Sequence, residues 1–175
     1  TKAPVFVNVP PTLELECSDP IPSQQPEVKD NCDNNPQVTL EETTIPGQCD
    51  QEYTLIKVWT AEDNCGNSAT AQQVIKVKDT TPPVIMTLHP ELSTISSGDT
   101  IYFECDDAII YGVDDVKATD NCDPNPLVSF DEIVTQGDCI QDGFILQMRC
   151  TWTATDDCGN SSSFYIVVRI VDTTP

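Results

Sequence analysis

The chain has 175 residues, of which 29 are acidic and 8 are lysine or arginine, and its formal net charge at pH 7 is −21. So strong a negative charge repels polyanions, which excludes nucleic-acid binding as a function class. No apolar run approaches the roughly 18 residues that a membrane-spanning helix needs, so the chain is not expected to cross a membrane.

Short segments of alternating or β-branched residues recur along the chain and predict strands. In chain order, the predicted strands cover residues 12–17, 38–44, 53–61, 84–88, 100–105, 128–134, 144–154 and 163–171. No long stretch has a helical apolar period, and 14 prolines break most candidate helices. The sequence therefore predicts an all-β protein.

The last two predicted strands have the clearest pattern. In residues 144–154, Cys150 and Trp152 lie with other apolar residues on one face, and the other face is polar except for Ile145. Residues 163–171 alternate in the same way, and residues 158–160 between the strands have the composition of a turn. The two strands are predicted to form a hairpin with one buried face.

The chain contains two homologous repeats with four cysteines each in register. Residues 30–36 correspond to residues 120–126, and residues 59–68 correspond to residues 152–161. The offset between the copies grows along the chain, as expected when small insertions fall in loops between fixed elements. Each repeat is predicted to be an immunoglobulin-like β-sandwich of about seven short strands.

The boundary between the repeats is a recurring Asp-Thr-Thr-Pro segment. It closes repeat 1, assigned to residues 1–80, and recurs as Asp172-Thr173-Thr174-Pro175 at the end of repeat 2, assigned to residues 81–175. We therefore expect a further repeat to follow and the chain to be part of a longer exported protein. Pro82 and Pro83 restrict the backbone and predict a short, extended, stiff connector.

Taken together, these segments resemble the repeats of SprB-type gliding-motility adhesins of Bacteroidota and, more distantly, the HYR domains of the immunoglobulin-like class. The resemblance lies mainly in the first repeat, at residues 30–32, 41–49, 59–71 and 79–84. The second repeat departs from it at residues 130–136, at the additional Cys150, and in a longer loop at residues 106–117. The resemblance implies extracellular repeats of a surface filament that adheres to substrata, and it implies no catalytic residues.

Eight cysteines are disulfide candidates because they recur in both repeats: Cys17, Cys32, Cys49, Cys65, Cys105, Cys122, Cys139 and Cys158. None has the CxxC spacing of thiolate zinc sites, so disulfides formed in an oxidising compartment are expected. If predicted strands 38–44 and 53–61 pair antiparallel, Cys32 lies beside Cys65, and Cys17 is left to pair with Cys49. Four cysteines allow three pairings in each repeat, so the connectivity stays open.

Cys150 has no counterpart in the first repeat, where Lys57 stands in its place. It is either a reactive or interchain thiol or a buried free cysteine that acts as a small apolar side chain. Its position on the face shared with Trp152 favours the buried free thiol.

The same strand pairing gathers acidic and amide side chains at one end of each repeat, which we call the acidic pole. The acidic poles comprise Asp30, Asp33, Asp63 and Asn64 in the first repeat and Asp120, Asp123, Asp156 and Asp157 in the second. Several carboxylate and amide oxygens close together suit a hard cation such as calcium. The alternative is that these residues only form turns, since no EF-hand or other dedicated calcium loop is present.

Catalytic residues are not expected. Trp59 and Trp152 fit core packing better than sugar stacking. His89, the single histidine, has no histidine counterpart in the first repeat. No acidic pair is flanked by an aromatic, sugar-binding sequence.

The leading hypothesis is a non-enzymatic structural and adhesive module of a bacterial cell-surface filament attached to the outer membrane. Its expected partners are neighbouring repeats of the same chain and a surface or polysaccharide ligand. The alternative is a ligand-binding ectodomain pair that recognises one defined protein or glycan, with calcium as a possible cofactor.

Overall fold

The structure is a computed structural model that describes residues 2–106 and 110–173. The chain divides into two compact units, Thr1–Thr80 and Thr81–Pro175, here called unit 1 and unit 2. Residues 107–109 of the longer loop, and Thr174 and Pro175 of the second closing segment, lie outside the described residues. Within the described ranges, no helix is long and apolar enough to cross a membrane.

Unit 1 has two sheets. Its strands are β1 (Val5–Val7), β2 (Leu13–Glu16), β3 (Glu27–Lys29), β4 (Gln37–Pro46), β5 (Tyr53–Glu62) and β6 (Ser68–Lys78). A four-stranded sheet has the order β2-β6-β5-β4, and β1 pairs with β3 in a second sheet. Strand β2 runs parallel to β6, and the other neighbours are antiparallel.

Unit 2 repeats this topology. Its elements are β7 (Val84–Thr87), a 3₁₀ helix (Pro90–Thr94), β8 (Thr100–Glu104), a 3₁₀ turn (Val113–Asp115), β9 (Val116–Thr119), β10 (Leu127–Gln136), β11 (Leu146–Thr155) and β12 (Ser161–Val171). The four-stranded sheet has the order β8-β12-β11-β10, with β8 parallel to β12, and β7 pairs with β9.

The predicted all-β, immunoglobulin-like fold is confirmed, and each described unit has six strands where about seven were expected. The hairpin of β11 and β12 is present in the register Leu146 with Ile170 through Thr155 with Ser161. Strands β1, β3, β6 and β9 lie outside the predicted set. Three of these four span three or four residues, too short for a two-residue alternation to stand out.

The core of unit 2 is apolar. The inner faces of β11 and β12 supply its centre, where Cys150, Trp152, Ile166 and Val168 have no exposed surface. The 3₁₀ helix adds the buried Leu92 to the same cluster. The alternation of apolar and polar residues along these two strands therefore buries one face of the hairpin, as the sequence predicts.

The core of unit 1 is smaller and partly polar. Trp59 and Ile75 are fully buried on the inner faces of β5 and β6. Beside them, Lys57 and Gln73 are buried where unit 2 has Cys150 and Ile166.

Two pairs of glycines shape the turns that join the long strands. Gly66 and Gly159, after β5 and β11, have φ angles of 80° and 89°, in the left-handed region that favours glycine. Gly47 and Gly137, after β4 and β10, lie against the returning chain. A Cβ atom at Gly137 would lie 2.6 Å from the carbonyl oxygen of Phe144.

Candidate functional site

The acidic pole of unit 1 forms because β4 and β5 pair over their whole length. Gln37 at the start of β4 lies opposite Glu62 at the end of β5. The loops beyond these two residues are therefore adjacent, and the Asn64 N–H donates to Oδ2 of Asp33 at 3.0 Å. The predicted residues are thus brought together.

Asp30 and Asp33 hold the loop that precedes β4. Oδ1 of Asp30 accepts the N–H groups of Cys32 at 2.9 Å and Asp33 at 2.8 Å, an Asx-type turn. Oδ1 of Asp33 accepts the N–H of Asn35 at 2.9 Å. The donation from Asp33, followed by that from Cys32, lowers the pKa of the Asp30 carboxyl, although the nearby Asp63 charge acts in the opposite direction.

Asp63 holds the turn that leads from β5 to β6. Oδ1 accepts the N–H groups of Cys65 at 2.9 Å and Asn67 at 2.8 Å, and Oδ2 accepts from the side-chain amide of Asn67 at 2.7 Å. The Asn67 side chain, followed by its backbone N–H, lowers the pKa of the Asp63 carboxyl. Asn67 is a member of this site that the sequence analysis missed, although the recurrence of Cys-Gly-Asn in both repeats marks it.

The acidic pole of unit 2 repeats these contacts. Oδ1 of Asp120 accepts from Cys122 at 2.8 Å and from Asp123 at 3.0 Å. Oδ2 of Asp123 accepts from the Asp157 N–H at 3.0 Å. Asp156 accepts the Asn160 backbone N–H at 2.8 Å and its side-chain amide at 2.9 Å.

Most of the carboxylate oxygens at the poles therefore cap turns, which is the alternative that the sequence analysis weighed against calcium. One buried oxygen in each pole differs, since Oδ2 of Asp30 and Oδ2 of Asp120 accept no hydrogen bond from any described residue. These two atoms occupy equivalent positions, and carboxylate oxygens are ligands that calcium prefers. The oxygen atoms at the poles are therefore of the chemical type that calcium binds.

Four of the eight predicted cysteines are disulfide-bonded: Cys17, Cys49, Cys122 and Cys158. Cys158 follows β11 at the acidic pole, where Asp157 donates to the residue after Cys122. The strand register of unit 1 places Cys17 and Cys49 at the opposite end of its sheet. The two bonds are therefore Cys17–Cys49 and Cys122–Cys158.

Cys32, Cys65, Cys105 and Cys139 have free thiols in the structure. Cys32 and Cys65 line one pocket of about 270 Å³ together with Asp30 and Asp63. Burial raises the pKa of the Cys105 thiol, and the charges of Asp172, Glu104 and Cys139 raise it further. Each unit thus has one disulfide, with the other two candidates close together.

Cys150 is fully buried and its thiol is free. Burial, followed by the charges of Glu132 and Asp115, raises the pKa of this thiol to about 11. A thiolate is the reactive form of cysteine, so this side chain is chemically inert at neutral pH in the folded unit.

Both tryptophans are buried, with exposures of 1% for Trp59 and 0% for Trp152, so neither offers a face to a sugar. Trp152 packs against the rings of Tyr111, Phe130 and Phe164, with centroids 6.1, 5.1 and 5.7 Å away. These are ordinary distances for aromatic packing in a core.

A model of the family described as the HYR-like domain with 4 cysteines matches residues 6–77. The predicted resemblance to HYR domains is confirmed for these residues, which lie within unit 1. The more specific resemblance to SprB-type adhesins stays a prediction. No curated protein matches the chain.

Solved structures similar to the chain include pairs of cadherin and immunoglobulin domains. The EC1-2 structure of human mucin-like protocadherin is 10% identical, with a TM-score of 0.37 and coverage of 99% of this chain and 100% of that one. The Ig1-2 module of the Drosophila receptor protein tyrosine phosphatase DLAR is 13% identical, with a TM-score of 0.33 and coverage of 97% and 99%. Drosophila N-cadherin EC1-4 is 15% identical, with a TM-score of 0.37, and this chain covers 50% of its length.

Proposed function

We propose that the two units form a structural and adhesive module of a bacterial cell-surface filament of the gliding-motility adhesin type. The observation that carries this proposal is the recurrence of one sandwich topology in tandem, with one disulfide in each copy and the same turn-capping contacts at each acidic pole. Repetition of a unit together with its loops is expected of a module that extends a chain, because each copy is a compact unit with its own core.

The side chains that could take part in sugar binding or catalysis are buried or ionised, which supports a non-enzymatic role. Trp59, Trp152 and Cys150 are buried in the cores. The carboxylates of Asp30 and Asp63 have lowered pKa values, so at neutral pH they are ionised and unsuited to act as general acids. The excess of acidic residues, 29 against 8 lysines and arginines, also keeps closely packed filaments soluble.

Bead adhesion under flow tests this proposal. Beads coated with the full chain should be retained on glass and on polysaccharide gels more strongly than beads coated with reduced and alkylated chain, because reduction removes the disulfides that stabilise the units. Equal retention of both bead types would contradict the adhesive role. Saturable binding to one glycan or protein alone would instead support the ectodomain alternative.

The second candidate is calcium-dependent binding at the acidic poles, which the lone buried oxygens of Asp30 and Asp120 favour. A cation held by the native state alone stabilises it by RT ln(1 + [L]/Kd), about 2.7 kcal/mol at a hundredfold excess over Kd. Magnesium should stabilise less, because its small octahedral shell is harder to assemble from turn oxygens.

Thermal unfolding with millimolar calcium, magnesium or chelator at matched ionic strength tests this second candidate. A calcium-specific rise in Tm that is lost in Asp30→Asn/Asp120→Asn would support it. An equal response to both cations would indicate diffuse screening of the −21 charge instead.

A further inference from the structure

Each unit ends its larger sheet in a long strand whose outer edge pairs with no described strand, here called a free edge. Strands β4 and β10 have ten residues each and stand at the ends of their sheets. All ten residues of β4 are exposed, as are residues 131–136 of β10. The outer backbone N–H and C=O groups of such strands are a template on which another extended segment can pair.

The free edge of β10 carries apolar and acidic side chains side by side. Leu127, Ile133 and Val134 are 73%, 56% and 53% exposed. Asp131 and Glu132 lie immediately before the last two of these. An extended partner would therefore meet apolar contact area next to two carboxylates.

The carboxylates of β10 lack a neutralising partner, unlike their counterpart in unit 1. In β4, Glu42 lies opposite Lys57 and pairs with it at 3.4 Å. In β10, Glu132 lies opposite Cys150, and neither Glu132 nor Asp131 forms a salt bridge with any described residue.

Arg149 is the cation closest in register to this edge, since it lies opposite Ile133. Its guanidinium lies over the ring of Tyr165 in β12, 4.3 Å from the centroid. Tyr165 is on the far side of β11 from β10, so the Arg149 charge is directed away from the edge.

We propose that the free edge of β10 binds an extended peptide segment with adjacent basic residues, which adds to the sheet as a fifth strand. Asp131 and Glu132 are consecutive, so their side chains lie on opposite faces of the sheet. Two consecutive lysines or arginines in the partner strand would offer one cation to each face. Flanking β-branched residues would pack against Ile133 and Val134.

A second copy of this chain does not fit the same edge. Antiparallel pairing of β10 with itself about its acidic centre would place carboxylates directly opposite carboxylates, which destabilises a strand pair. Two chains of charge −21 also repel each other. The partner is therefore a different, basic polypeptide, and this proposal is independent of the adhesive role.

Fluorescence anisotropy with a labelled ten-residue peptide tests the proposal on the full chain. The peptide has two central lysines flanked by valines and threonines. The variant Asp131→Asn/Glu132→Gln should weaken its binding about fivefold, as expected for the loss of two exposed ion pairs. The matched variant Glu41→Gln/Glu62→Gln, which removes the same charge from unit 1, should leave the affinity within about twofold. Equal loss in both variants would overturn the proposal.

A second peptide with the same charge and two prolines in place of threonines separates strand addition from simple charge attraction. Proline cannot donate to a ladder, so this peptide should bind at least about fivefold more weakly. Binding of the first peptide should also slow amide exchange within β10. Equal affinity for the two peptides, or unchanged exchange in β10, would overturn strand addition.

Discussion

At the scale of single residues, the glycines beside the returning strands give a sharp test of backbone packing. We predict that Gly137→Ala lowers the free energy of unfolding by about 2 kcal/mol, in the range measured for overpacked sites. The added Cβ would lie 2.6 Å from the Phe144 carbonyl oxygen, and backbone cannot move aside cheaply. Gly112→Ala is the control, because no described atom beyond its two chain neighbours lies within 4 Å of its Cβ position. Urea unfolding curves showing equal stability of both variants would contradict the prediction.

The cysteines give a second test at this scale. We predict that intact-mass measurement of the oxidised chain shows four disulfides and one thiol, because Cys32 lies beside Cys65, and Cys105 beside Cys139. The single thiol is Cys150, which should resist alkylation at pH 8 until the chain is denatured, because burial raises its pKa to about 11. Alkylation of nine cysteines without reductant would refute this.

Acid stability tests the capping role of the aspartates. The pKa values of Asp30 and Asp63 are lowered in the folded state, so the stability they contribute is present above their unfolded pKa of about 3.9. This contribution to stability is lost as the pH falls through the lowered pKa values of the two carboxyl groups in the folded state. We predict that Asp30→Asn/Asp63→Asn reduces the loss of stability below about pH 4, measured by urea unfolding against pH. Glu41→Gln/Glu62→Gln, at carboxylates that accept no hydrogen bond from the residues the structure describes, should retain the wild-type profile.

At the scale of elements, the hairpins β5–β6 and β11–β12 place different side chains at the same core positions. In unit 1, the Lys57 ammonium donates to the Pro22 carbonyl at 3.1 Å, and the Gln73 amide donates to Pro11 at 3.0 Å. Trp59 Nε1 is buried and has no hydrogen-bond partner in the described part of the chain. In unit 2, Trp152 Nε1 instead donates to the Gly112 carbonyl at 2.7 Å.

Pro22 and Gly112 each lie eight residues before an acidic-pole aspartate. Equivalent backbone carbonyls therefore accept a hydrogen bond from a lysine in unit 1 and from a tryptophan in unit 2.

This difference predicts that an apolar core would stabilise unit 1. We expect Lys57→Met/Gln73→Ile to raise the free energy of unfolding by about 1–2 kcal/mol, because apolar residues avoid the desolvation of a buried ammonium. Lys76→Met, at the exposed pair with Glu14, should change it by less than about 0.5 kcal/mol. Scanning calorimetry of the full chain measures both. Destabilisation by the double substitution would show that the Lys57 contacts outweigh this cost.

The eleven-residue β6 was not predicted, because the buried Gln73 interrupts the apolar face that Ile75 and Val77 continue. The other long strands, such as β11, could be predicted from the alternation of their side chains. Their pairing then brings Asp30, Asp33 and Asp63 together. The oxygen that accepts each N–H, and the part played by Asn67, could not be predicted. Those contacts depend on turn geometry, such as the positive φ of Gly66. The partner of Lys57 likewise depends on the path of a loop without periodicity.

At the scale of the whole molecule, the two units should differ in stability. Unit 2 buries a cluster of eight residues that includes Leu92, Tyr111 and Trp152. The buried residues of unit 1 include the polar Lys57 and Gln73. Burial of apolar surface contributes about 25 cal/mol per Å² to stability. Unit 2, which has the larger apolar core, should therefore have the larger free energy of unfolding.

We therefore predict two thermal transitions, with unit 1 unfolding first. Calorimetry should resolve them, and hydrogen exchange with mass spectrometry should assign the lower one to peptides from β4, β5 and β6. Simultaneous loss of protection in both units, or earlier loss in β11 and β12, would contradict this order.

The different donors in the two hairpins also bear on how tandem copies of such a gene can recombine. A crossover in the turn after β5 would join the strand that carries Lys57 to the strand that carries Ile166, setting an ammonium against an aliphatic side chain. A crossover outside the hairpin transfers Lys57 with Gln73, or Cys150 with Ile166, as a compatible pair. Either exchange leaves the transferred hairpin with a hydrogen-bond acceptor, since Pro22 and Gly112 both offer a backbone carbonyl. Each hairpin can thus be exchanged as a whole, because crossovers at its two ends keep the paired core side chains together.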